Sequence, residues 1–490
     1  MIRNYRSFLN KAYIPLAVML IMSGPVHAAE SSYQLTMKDA VEQALQNNLN
    51  LKLEQENTNI AQGAVDIAGS RFDKLLTAEA GYNSEESTPL VIGSAEQEDT
   101  TALSAALQKR FTTGTEVQVG IANSRYDTDA KGMLLNPSYG NSVSLGLTQP
   151  VLRGWGRDIQ TASITAAENE LQASTFQVDS TAANLAAQVK LGYWELVFAW
   201  QDIEVKKLSV TLAKKLLEET EAKISAGKLA EIELYQPQSE VARREEDLIA
   251  AERAIGVADD ELKLLLNSND WITPFKPVDT PDKTPVTLDP QEILADALTN
   301  RPDLKAAEMN INAARFREKI AVDDLRPSLD LVGSVGFGGT DDGYGSAFES
   351  TVDDTDTTWQ VGLNLSLPID NSAAKGSLQQ ARASYSRART TAQLLKLEIT
   401  KGVRGAVRDV QLAIKAMEAT AKTSFATRKR LEAEQAKFDA GRSTTLDVLI
   451  AQEAYSQALS QEKRTDIRYE QALAELDRIQ GKISFISKRI

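Results

Sequence analysis

The chain has no cysteine, and its only histidine is His27. Histidine and cysteine chemistry is therefore almost absent: a Ser-His-Asp or Cys-His nucleophile pair, a His/Cys zinc site and a disulfide are all excluded from the body of the protein. A lipid-modified N-terminal cysteine is excluded too. What remains is carboxylate, Lys or Tyr chemistry, and no pair of acids lies in a cleft-like context. No enzyme, cofactor or metal site is expected. The chain also lacks excess positive charge: the net charge of −14 and pI near 4.9 argue against a nucleic-acid partner. Beyond the N-terminus no stretch holds the ~18 consecutive apolar residues of a membrane helix. A membrane-inserted form would have to be a β-barrel, since only helices and closed barrels satisfy every backbone group in lipid. Proline is missing from Val151 to Gln236 and again from Ile369 to the C-terminus.

The N-terminus reads as an export signal over 1–28. Arg3, Arg6 and Lys11 give a basic start, Ile14 to Met22 is a short apolar run, and Val26-His27-Ala28 offers small-residue cleavage chemistry before Ala29. Cleavage there removes His27 as well.

Beyond it the chain says the same thing twice. Asp39 to Lys52 reads DAVEQALQNNLNLK, and 253 positions later Glu292 to Lys305 reads EILADALTNRPDLK. Ala222 to Gln238 reads AKISAGKLAEIELYQPQ, and 214 positions later Ala436 to Gln452 reads AKFDAGRSTTLDVLIAQ. Two structural repeats follow, at 29–270 and 291–490, separated by a Pro-rich connector at 271–290. Duplication of this kind suits a pseudo-symmetric ring or tube.

The proline-free tracts are rich in strong helix formers. Val189, Leu196, Ile203, Val210, Leu217 and Ile224 recur every seven residues. Shifted by 214 they become Val403, Val410, Met417, Ser424, Leu431 and Phe438, with one polar exception. A sustained heptad marks a coiled-coil-like seam. Long helices are expected at about 158–267 and 372–480, turning at Gly227 and Gly441. The first return helix, from about 229, contains Pro237 and is expected to kink there.

Between the helices the period changes to two. Leu76, Ala78, Ala80 and Tyr82 alternate with polar or small residues, as do Val143, Leu145 and Leu147, then Leu329, Leu331, Val335 and Phe337, then Trp359 to Leu367. Alternation over roughly ten residues is the pattern of transmembrane barrel strands, expected at about 76–149 and 329–367. Pro150 and Pro368 mark the barrel-to-helix joints. The first copy holds an extra alternating hairpin, 103–121, turning at Thr112-Thr113-Gly114-Thr115. It either adds two wall strands or folds beside the barrel.

In these residues the chain resembles the TolC family of outer membrane efflux proteins from about Gln34 to Gly481. The most specific parts are the two helix-turn segments, the paired ALQNNLNLK and ALTNRPDLK breaks, and TQPVLRGWGRD at Pro150. The resemblance implies an α+β homotrimer, an outer-membrane β-barrel continuous with a long periplasmic α-helical coiled-coil barrel. Four strands per chain would make 12. The implied function is a passive outer-membrane exit duct of a tripartite efflux or type I secretion system. Its partners would be a periplasmic adaptor and an inner-membrane transporter. The resemblance also implies a periplasmic tip narrowed by carboxylates: Asp447 and Glu233 lie six residues after the turn glycines, and Arg442 and Lys228 directly follow those glycines and could pair with the acids. This chain departs from the gate pattern at Phe438, which lacks a phenol hydroxyl, and at Ile450, where an acid is expected. Acids also favour helix starts, so a capping role for Asp447 and Glu233 stands beside the gate role. A periplasmic adaptor and a structural coiled-coil protein of the envelope are the alternative functions.

Overall fold

A computed structural model describes residues 32–88, 91–353 and 356–482; the export-signal segment lies outside them. In chain order the elements are β1 (Tyr33–Leu35), α1 (Met37–Asn47), α2 (Leu49–Gly69), β2 (Lys74–Glu86), β3 (Gln97–Arg110), β4 (Glu116–Thr128) and β5 (Ser138–Pro150). They continue with α3 (Arg157–Gln160), α4 (Ala162–Ser225), α5 (Tyr235–Leu266) and β6 (Phe275–Pro277). The second half holds α6 (Pro290–Asn300), α7 (Pro302–Asp323), β7 (Ser328–Asp341), α8 (Tyr344–Asp353), β8 (Asp356–Ser366), α9 (Ser372–Asp439) and α10 (Thr445–Gln480).

The duplication is visible helix by helix. α1 and α6 are both 11 residues long and begin 253 positions apart. Each ends where a residue leaves helical geometry, Asn48 or Arg301. The two starts use different chemistry for the same need, since the first backbone N–H groups of a helix lack partners. Thr36 accepts from the Asp39 amide at 3.1 Å, and Asp289 accepts from the Gln291 amide at 2.9 Å behind Pro290. Asn48 then caps α2, accepting from Asn50 and Leu51, where α7 begins with Pro302.

α4 and α9 have 64 and 68 residues, about 95–100 Å each at 1.5 Å per residue. All six positions of the second heptad are buried, Ser424 among them at 5 % exposure. In α4 the seam holds through Val210 and then drifts: Ala213, Leu216 and Thr220 are buried while Leu217 and Ile224 are half-buried. A straight helix turns every 3.6 residues, so a stripe read at seven slides off the contact face unless the helices supercoil. Beside the sheet the helices neighbour one another in the order α2, α4, α7, α9; toward the far tip the order is α5, α4, α10, α9. The connector is no mere linker: Phe275–Pro277 pairs in parallel with Tyr33–Leu35, and the Tyr193 hydroxyl ties it to the core, donating to Asp279 at 2.6 Å.

The expected kink at Pro237 is absent for a positional reason. α5 starts at Tyr235, after a single 3₁₀ turn at Glu231–Leu234, so Pro237 occupies the first helical turn. There a missing N–H breaks no intrahelical bond.

The large sheet has six strands in the order β2-β3-β4-β5-β7-β8, every neighbouring pair antiparallel. The 103–121 hairpin belongs to it as part of β3 and β4. At 11–14 residues each, the strands are long enough to cross a bilayer. One cross-strand row is apolar throughout: Leu76, Leu107, Val119, Leu145, Val335, Trp359. The row one residue on, Thr77, Ala106, Gly120, Ser144, Gly336, Thr358, is small or polar. α8 packs on the apolar face at the end remote from the helices. Asn141 Nδ2 donates to Tyr344 O at 3.2 Å, and the rings of Tyr139 and Tyr344 meet edge-on at 4.3 Å. Gly339 makes room for the α8 backbone: a Cβ there would lie 2.5 Å from Thr351 N.

Candidate functional site

The residues singled out in the sequence fall at two places: the joint between sheet and helices, and the tip where the long helices turn. At the joint, Pro150 is the last paired residue of β5, opposite Asp330. The chain continues the ladder by one bond, Val151 N to Leu329 O at 2.8 Å. Asp323 Oδ2 accepts from Gly154 N at 2.6 Å, and Gln160 Nε2 donates to Gly154 O at 2.6 Å. On the other side Pro368 follows the end of β8, and Asn371 Nδ2 donates to Leu325 O at 3.1 Å. Proline ends a ladder because it cannot donate to it.

At the tip both turns use one device. Gly227 and Gly441 each stand at φ +71°. Gly227 N donates to Ile224 O and Lys228 N to Lys223 O, both at 2.8 Å. Gly441 N donates to Phe438 O at 3.1 Å and Arg442 N to Lys437 O at 2.8 Å. This double closure satisfies the last helical carbonyls and needs a left-handed residue, which glycine supplies without steric cost. Lys228 and Arg442 are therefore fixed by their backbones. Neither ion pair with Glu233 or Asp447 forms among the described residues. The nearest partners of Asp447 are local and neutral.

Asp447 is exposed at the third position of α10 and completes a capping box: Thr444 Oγ1 accepts from Asp447 N at 3.2 Å, and Asp447 Oδ2 accepts from Thr444 N at 3.1 Å. The Thr444 hydroxyl and amide hold the Asp447 carboxyl below the usual carboxylate range. Ser443 Oγ lies 3.0 Å from Glu434 and 3.4 Å from Asp447, bringing a second acid to the turn. Thr444, Ser443 and Glu434 were not singled out in the sequence, although a threonine three residues before an acid at a helix start is a readable signal. Glu233 sits half-buried in the 3₁₀ turn, where Ala230 provides no side-chain cap.

Phe438 is a correction. It is 2 % exposed, packed with Leu216, Leu431 and Val448 in the core behind the tip, so it cannot face a lumen. Its place is set by the heptad that ends on it. Lys223 joins the two turns there: its ammonium lies 3.2 Å from the Phe438 ring centroid and donates to Phe438 O at 2.7 Å. A cation over an aromatic face is attracted by the ring quadrupole.

The protomer thus joins a two-faced sheet of bilayer-crossing length to a layer of ~100 Å helices. Residues 293–482 match the family model described as outer membrane efflux protein. TolC of Vibrio cholerae is 23% identical over 59% of this chain; the alignment spans 66% of that relative's length, just under two thirds. Among solved structures, the outer-membrane channel OprN superposes with a TM-score of 0.68 at 18% identity, covering 91% of this chain and 89% of that one. VceC of Vibrio cholerae gives 0.66 at 17% identity, covering 91% and 96%. Over its second half the chain is thus similar in sequence to outer membrane efflux proteins, and over nearly its whole length it shares the fold of solved outer-membrane channels.

Proposed function

We propose that this chain is one third of a closed exit duct, a trimer that passively conducts cargo to the exterior. The cargo would come from a periplasmic adaptor and an inner-membrane transporter, in efflux or type I secretion. One observation carries the reading: both parts of the protomer are open on the same two flanks. β2 and the α2/α5 helices form one flank, β8 and α9 the other. On α2, Leu53, Ile60 and Ile67 are exposed at seven-residue spacing, and on α9 Leu394, Leu397 and Phe425 are exposed. An edge strand facing lipid leaves backbone groups unsatisfied at several kcal/mol each. Head-to-tail contact of unlike flanks closes both parts at once when the rotation closes a ring. An adaptor or a coiled-coil scaffold would leave the sheet without a role.

In this duct three copies of the tip converge, and Asp447 with Glu233 supplies rings of negative charge beside Arg442 and Lys228. Planar-bilayer recording of purified trimers tests this. Asp447→Ala is expected to lower cation preference and raise resting conductance. Thr444→Ala, which loses the same cap but keeps the charge, should leave the preference unchanged. Wild-type ion preference in Asp447→Ala trimers would leave Asp447 a helix cap only and place the constriction elsewhere.

A further inference from the structure

The resemblance leads one to expect four wall strands per chain; this sheet has six. The two additional strands are not a decoration beside the wall. β2 pairs with β3 from Lys74↔Lys109 to Glu86↔Gln97, and β5 pairs with β4 from Thr148↔Glu116 to Ser138↔Tyr126. β2 and β5 are therefore separated by the whole hairpin. β3 and β4 also carry the two-faced pattern in register, with Leu107 and Val119 in the apolar row and Ala106 and Gly120 in the small-residue row. A hairpin lying on the wall would have one face against protein and would not need to repeat this pattern. Its turn is seated at the joint: Gly114 stands at φ +93°, and a Cβ there would meet Pro150 Cγ and Gln160 Nε2, both at 2.9 Å. The hairpin thus spans the same height as the other strands and is anchored where they end.

Resting on the trimeric reading above, we propose that the assembled wall has 18 strands, closed by β8 of each protomer on β2 of the next, and forms a wide outlet for bulky cargo. The directions fit. Six alternating strands leave β2 and β8 antiparallel, so the joining ladder is antiparallel like every other. The faces fix its parity: odd-numbered Trp359, Val361 and Leu363 are apolar on β8, and even-numbered Ala78, Ala80 and Tyr82 on β2, so odd must oppose even. With strands ~4.8 Å apart and tilted by ~40°, 12 strands enclose a backbone diameter of about 24 Å and 18 strands about 36 Å. Allowing ~5 Å of side chain on each wall leaves about 26 Å against about 14 Å. A single helix is ~10–12 Å across, so the wider outlet passes two packed helices side by side. The inward row is built for openness, with Gly120, Ser144 and Gly336 at mid-height. α8 packs on the apolar face and not on the small-residue row.

The cysteine-free chain makes the test clean. In full-length protein, Ala80→Cys with Val361→Cys, and the neighbouring same-parity pair Ala78→Cys with Val361→Cys, are oxidised in membranes and run without reductant. Covalently linked dimers and trimers are expected. Separately, Glu79→Cys on the inward row is exposed from outside to maleimide-polyethylene glycols of graded size. It should react with reagents up to roughly 20 Å across, while a variant lacking 97–128, with Glu96 joined to Asp129, should exclude them. A purely monomeric product with no cross-link would overturn the trimeric duct and this proposal together. Trimeric cross-links with exclusion above about 14 Å at Glu79→Cys would overturn the 18-stranded wall and leave the trimer standing. So would disulfide formation between Ala78→Cys and Val143→Cys, which puts β2 beside β5. If the shortened variant fails to assemble, the full-length size limit and the Ala78/Val143 pair still decide.

Discussion

Asp447 shows how much one side chain does before any partner arrives. Its carboxylate receives the Thr444 amide and hydroxyl, and its own amide is received by Thr444 in return. These bonds favour the charged form and depress the pKa in the folded state. The stability they lend α10 is therefore fully present above the unfolded-state pKa near 4 and is lost as pH falls through the lower folded value. Amide exchange at 445–448, corrected for intrinsic rate, should reveal this as loss of protection confined to acid. Asp447→Asn should abolish the pH dependence, and Thr444→Ala should cost about 1 kcal/mol of local stability at neutral pH. The first turn has no such box, since Ala230 stands at its cap. The acid identities at 233 and 447 were legible; their unlike surroundings were not, because capping depends on the residue three positions earlier and on where the helix actually begins.

At the scale of elements the long helices are the most legible part. Heptad, proline-free length and turn glycine specify helix, seam and end together, and consistency across these signals is what makes a sequence readable. Pro237 misleads because a proline's effect depends on its distance from the helix start, which the 3₁₀ turn at Glu231–Leu234 shifts by one turn. The tip turns, by contrast, are strict. Nothing lies within 4 Å of a Cβ added at Gly441, so Gly441→Ala meets no clash and suffers only backbone strain at φ +71°, roughly 1–2 kcal/mol. The expected outcome is faster limited proteolysis at residues 439–444 with unchanged global melting. Unchanged cleavage would mean that the turn does not depend on the left-handed residue. Strand boundaries were less legible than helices, and the hairpin's membership in the sheet was undecidable from alternation alone, since a half-buried strand and a membrane strand share the same period.

At the scale of the whole molecule the protomer is open at two flanks. Its sheet ends on two unpaired strands, its helical layer ends on exposed apolar stripes, and both defects fall on the same flanks. A detergent-solubilised monomer should not persist: light scattering corrected for detergent is expected to give three chains per particle. A monodisperse monomer would contradict ring closure. Dissociation should require heat or strong denaturant, because separating the protomers exposes backbone edges and apolar seams at once.

What is periodic or local was legible along the chain. It specified a chain without thiol or, beyond His27, imidazole chemistry, two copies of one plan, helices of ~100 Å, strands with one apolar face, and the glycines that turn the helices. Periodicity is a property of neighbours along the chain, so residues a few positions apart suffice to reveal it. Packing in three dimensions set whatever depends on residues far apart. It placed the hairpin between β2 and β5, put Phe438 in the core under Lys223, paired the connector with β1, and left Asp447 capped instead of bonded to Arg442. Each of these is a contest between alternative partners of similar chemistry, and the winner is set by where packing brings two segments together, which no single stretch of sequence encodes.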